Sequence, residues 1–257
     1  NGTEYDVLGD VLFSGDAGYV RGIAEIKRNE NYEDGDGREV RSAFDHQQAG
    51  IILGWTPNDD RLLEFSYERN DFEDALYPGA GMDSPVEEGD ILRLKYEDAP
   101  AADWLDSMKA ELYLSDIEHL MNNFSLRTPP RYMMGPMAGQ DMLRETPTTS
   151  KTTGGRLTLE SSSGDTLWAY GIDLQRNERD AVLNNLDTGT ARSISFMWPG
   201  VSIEQAGVFA EATTSVTDDQ RIKYGLRVDR VDASASKTAL QPAAAPNPAD
   251  QVYQIYY

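Results

Sequence analysis

Ten segments of roughly ten residues alternate apolar and polar side chains one for one, and this rhythm limits the fold more than any other feature of the chain. Successive side chains of a strand point to opposite faces, so such alternation marks a strand with one greasy face and one wet face. In "RLLEFSYER", Leu63, Phe65 and Tyr67 share one face against Leu62, Glu64, Ser66 and Glu68. "DILRLKYE" sets Leu92, Leu94 and Tyr96 against Ile91, Arg93, Lys95 and Glu97. "SMKAELYLS", "TLWAYGIDLQ" and "RIKYGLRVDR" repeat the scheme, with Leu112 and Leu114, Ile172 and Leu174, and Leu226 and Val228 on their apolar faces. Five more strands are predicted at Tyr5–Phe13, Tyr19–Arg28, His46–Thr56, Gly154–Ser162 and Ile203–Thr213.

The connections between these strands alternate as well. Short ones such as "SGDAG", "PNDD", "SSGD" and "VTDDQ" are separated by long polar ones at 29–44, 71–89, about 117–152 and about 177–200. Lipid cannot hydrogen-bond a backbone, so strands that cross a membrane must satisfy one another laterally. Dyad strands with short turns at one end and long loops at the other predict an all-β, antiparallel transmembrane β-barrel. Trp55, Trp104, Trp168 and Tyr96 fall near strand ends, where interfacial aromatics belong. The competing reading is a soluble β-rich surface protein built as a sandwich. Long charged residues on nearly every non-apolar face and the segregation of loop lengths count against it.

Composition removes several functions. A net charge of −21 repels phosphate backbones, so no nucleic-acid partner is expected. The chain has no cysteine, which excludes disulfides, thiolate metal sites and thiol nucleophiles. No G-x-S-x-G, P-loop or H-E-x-x-H sequence occurs, and no enzyme is expected. The start "NGTEYDVLGD" has neither a basic region nor an apolar core, so no signal peptide is expected there. The acidic run "NYEDGDGRE", with Glu33, Asp34 and Asp36, lacks the remaining ligands of a calcium loop and reads as a turn. Asp59-Asp60 and Asp218-Asp219 are likewise turn residues, and His46 is expected to face the lumen or solvent.

Soft ligands gather in one place. "IEHLMNNFSLRTPPRYMMGPMAGQDM" holds five of the eight methionines and one of the two histidines. His119 and Met121 stand two apart, so in extended backbone an imidazole and a thioether project from one face. Thioethers select soft ions, Cu(I) above all, and imidazole also suits copper in either oxidation state. Met133, Met134, Met137 and Met142 follow in a segment broken by Pro and Gly, where no apolar stripe can form. They are candidate accessory contacts, with flexible apolar filler as the alternative.

Three segments carry a family resemblance: "YEDGDGREVRSAFDHQQAGIILGWTPNDDRLLEFSYER", "GMDS" and "IEHLMNNFSLRTP". Together they resemble TonB-dependent copper receptors of the Gram-negative outer membrane, over most of the chain up to about Arg230. The resemblance implies a 22-stranded barrel in outer-membrane lipid, of which residues 1–257 supply about ten strands, without the plug domain through which TonB acts. It also implies copper import at a site pairing an H-x-M element on the extracellular side of the barrel with a C-x-x-x-M element on the plug. His119 and Met121 match the first element; the second has no counterpart in a chain without cysteine. A receptor of the same architecture for another metal or a metallophore is the alternative.

Overall fold

A computed structural model of the chain describes residues 3–240 apart from 101 and 103, together with residue 242. No helix forms among the described residues. The strands are β1 (Thr3–Gly15), β2 (Gly18–Asn29), β3 (Tyr32–Glu33), β4 (Glu39–Val40), β5 (Phe44–Asn58) and β6 (Arg61–Ala75). They continue as β7 (Asp83–Asp98), β8 (Ser107–Asn122), β9 (Arg144–Ser163), β10 (Thr166–Asn185), β11 (Arg192–Thr217) and β12 (Gln220–Ala235). Ten of them form one antiparallel sheet in chain order, β1-β2-β5-β6-β7-β8-β9-β10-β11-β12. The tiny β3–β4 hairpin caps the loop between β2 and β5; within it, Asp34 accepts the backbone N–H groups of Asp36 and Arg38, the turn chemistry expected of "EDGDG".

All ten predicted strands are present, but longer than the expected ten residues: they run from 12 residues in β2 to 26 in β11. The loops shrink to match, to 123–143 between β8 and β9 and to 186–191 between β10 and β11. The extensions lie at the long-loop end. There both faces are polar, as in "RETPTTSKTT" at the start of β9, so hydrogen bonding continues where the alternation that marked the strand has ended.

One face of the sheet is apolar across its width. Register places Phe13 beside Val20, Val20 beside Leu53, Leu53 beside Phe65, Phe65 beside Leu94, Leu94 beside Leu112, and Ile172 between Leu157 and Val208. These side chains have no second layer to pack on. Leu112, Val208 and Leu226 are 59%, 55% and 73% exposed, and among the described residues the buried hydrophobics are only Ala75, Leu105, Ala181 and Ala212. The backbone of each strand lies against only its hydrogen-bonded neighbours, as in a single layer. A sandwich would hide this face; a bilayer is the solvent that suits it. Trp55, Tyr96 and Trp168 stand on this apolar face near the short-turn ends.

The opposite, lumenal face is laced with charge. Arg21 pairs with Asp10 at 2.9 Å, and Arg227 bridges Asp173 at 2.7 Å and Asp229 at 2.8 Å. Lys95 meets Glu97, and Lys223 meets Glu211. Two glycines let aromatic rings lie flat across a neighbouring strand. Tyr19 crosses β5 over Gly54 to donate to Glu64 on β6, and a Cβ at Gly54 would occupy the ring. Tyr113 covers Gly154 in the same way. These rings stiffen a wall one sheet thick.

Candidate metal centre

β8 carries His119 and Met121 to the long-loop end of the lumenal wall. In register, His119 lies between Glu87 on β7 and Thr148 on β9, and Met121 lies opposite Thr146. Both side chains share the face of Glu111 and Tyr113, away from the apolar band, as period-two geometry requires. The His119 Nε2 is buried and makes no hydrogen bond. Its closest acid is Glu87, 3.9 Å away. A buried imidazole nitrogen without a partner is costly, and in the tautomer protonated at Nδ1 it offers a lone pair to a cation.

Two buried carboxylates brace the loops above this wall. Asp83, the first residue of β7, is fully buried and accepts from Arg41 at 2.6 Å, from Arg127 through two nitrogens, and from the Tyr77 N–H at 2.9 Å. It thereby ties three loops into one body. Burial pushes its carboxyl upward, but the bonds from Arg127, Tyr77 and Arg41 outweigh this and hold it below the usual carboxylate range. Asp187, between β10 and β11, accepts from Tyr132, from the Leu143 N–H at 2.7 Å and from Arg144 at 3.0 Å. Its carboxyl is also lowered, with burial opposing and those donors prevailing. The loop 123–143 is thus fixed near its start through Arg127 and at its end through Leu143 and Arg144. Asn123, itself buried, closes the base by donating to the Met142 carbonyl and accepting the Arg144 N–H, both at 2.8 Å.

Beyond that base, residues 130–142 fold into a narrow excursion, with the Met142 N–H on the Pro130 carbonyl and Arg131 paired to Asp141. Met133 and Met134 project from its tip, 88% and 84% exposed, while Met137 and Met142 are half-buried. The four predicted accessory methionines therefore line an arm rising from the site, and the tip pair faces solvent instead of His119. His46 is on the lumenal face as expected, but buried instead of solvated. It stacks on Phe72 at 4.1 Å between ring centroids, in the same cross-strand row as Glu87 and His119 but three strands away, about 15 Å at normal strand spacing.

Spacing alone misses one thioether on this wall. Met82 precedes β7, and its Sδ accepts a hydrogen bond from Thr146 Oγ1 at 3.7 Å, beside Met121. The only sequence signal was the word "GMDS", which carries resemblance but no spacing to His119. Among the described residues no three His, Cys, Asp or Glu side chains converge on a metal position.

Fold and wall together define a receptor-type outer-membrane barrel, and the family comparison agrees. The model for "TonB dependent receptor-like, beta-barrel" matches residues 25–253, nearly the whole chain, and the protein belongs to that family of Gram-negative outer-membrane receptors. Among solved structures it is similar to "Copper transporter OprC", with a TM-score of 0.79 at 26% identity, over 95% of this chain and 38% of that one. The open form of the ferric-catecholate import receptor Fiu from E. coli K12 shares the fold alone, with a TM-score of 0.58 at 11% identity, over 89% of this chain and 42% of that one. The chain thus spans well under half the length of either protein. No curated protein matches the sequence.

Proposed function

We propose that the chain is the lumen-lining part of a receptor that captures and imports copper, with His119 and Met121 as its barrel-side ligands. The observation that carries this reading is the buried, unpartnered Nε2 of His119 beside the Met121 thioether on the lumenal wall. Cu(I) fits this pair best, since thioether and neutral imidazole are soft and borderline donors; Cu(II) would rely on the imidazole. The likeness to a copper transporter supports the same cargo.

The chain's acidity raises the local concentration of cations at the mouth. Met133 and Met134 offer the first exposed thioethers, Met137 shares their tip beyond the Tyr132–Gln140 pairing, and Met142 stands at the base of the arm beside Asn123. Weak single-thioether contacts along the arm pass the ion on, while two donors from one strand hold it. A plug domain in the full-length receptor supplies the remaining ligands and couples release to TonB. The full-length receptor, purified in detergent from copper-supplemented cells, is expected to carry about one copper per chain. Iron, zinc or a metallophore in its place would overturn the reading.

A further inference from the structure

Met82 lies far from His119 in sequence, and the fold brings it to the same wall. β8 runs between β7 and β9, and Thr146 on β9 is the register partner of Met121 on β8. The Met82 sulfur, arriving from the β7 side, reaches Thr146 Oγ1 at 3.7 Å. To do so it must cross β8 at the level of Met121. A thioether placed there has a second lone pair that Thr146 does not use.

We propose that Met82 is a further thioether contact for the soft cation at His119–Met121, and that Asp83 is the positioning residue that keeps it there; this rests on the copper reading above. The backbone at 82 has no freedom to wander. Arg127 donates to the Met82 carbonyl at 3.1 Å while also gripping Asp83, and Asp83 in turn holds Arg41. Thr146, the residue that holds the sulfur, is itself buried, and Met82 is half-buried. Two thioethers and one imidazole from the barrel give a donor set that selects monovalent soft ions over zinc or iron. Asp83 spends its carboxylate on Arg41, Arg127 and the Tyr77 N–H. It acts by fixing where the neighbouring side chain points, as an outer partner does for a metal ligand.

The test is a titration of full-length receptor with Cu(I) against a chromophoric Cu(I) chelator. Met82→Leu, which removes a donor atom, is expected to weaken binding by at least about ten-fold, the lower end of what even outer partners of a metal are worth, with stoichiometry unchanged at one. Asp83→Asn is expected to weaken it similarly in the native background and not at all further in Met82→Leu, because both changes remove one contact. Arg127→Lys, which keeps charge but loses the paired grip, gives the same readout should Asp83→Asn fail to assemble. Native affinity in Met82→Leu, alongside lost affinity in Met121→Ile, overturns this proposal and leaves the copper reading standing. Native affinity in both variants overturns the copper reading itself. An equal loss from Asp83→Asn in both backgrounds overturns the positioning role.

Discussion

Replacing Met121 with isoleucine is expected to weaken Cu(I) binding by the full-length receptor more than about 100-fold, since even outer-shell partners of a metal are worth 10–100-fold and Met121 supplies a donor atom. Isoleucine keeps the apolar volume and favours extended backbone, so β8 should assemble as before. The position is half-buried on the lumenal wall opposite Thr146. Loss of binding with native yield and native heat resistance separates a ligand from a packing residue. His119→Gln is expected to act alike, because Nε2 makes no hydrogen bond that glutamine would be needed to replace. Retained affinity in either variant removes that residue from the site.

The second large effect lies on the other face. Leu112 stands in the apolar band between Leu94 and Gly155, 59% exposed. Leu112→Arg is expected to cost about 2–4 kcal/mol of folding stability in lipid, the penalty for a guanidinium near the bilayer midplane of a barrel. Ser115→Arg, three residues on and facing the lumen between Ile91 and Thr152, should cost far less, because a long cation there remains in water. Urea titration of the full-length receptor in lipid vesicles checks both. Equal penalties would mean that the two faces see the same solvent, contrary to a membrane barrel.

What the sequence reveals and conceals follows from where a face is greasy. Leu63, Phe65, Leu92 and Leu94 announce their strands because lipid demands alternation on one side. The first half of β9 is invisible to that signal: Thr148 faces the lumen and Thr149 the outside, yet both are polar. The strand continues because its backbone still pairs with β8, a fact that no side-chain pattern records. That His119 and Met121 share one face of β8 was legible for the opposite reason, since the placement of neighbours on one strand is written in their spacing. Met82 was not, because its place depends on Asp83 closing with Arg127 and Arg41 across three loops. Nor does a chain with 44 acidic residues reveal that Asp83 and Asp187 are the two buried ones bracing the arm.

The central claim is that soft donors on the lumenal wall hold the cargo. X-ray absorption at the copper edge of the full-length receptor loaded with one equivalent of Cu(I) tests it most directly. The account predicts a first shell of sulfur with one imidazole nitrogen, and loss of sulfur scattering in Met121→Ile. A shell of oxygen and nitrogen alone, unchanged by that substitution, would contradict it.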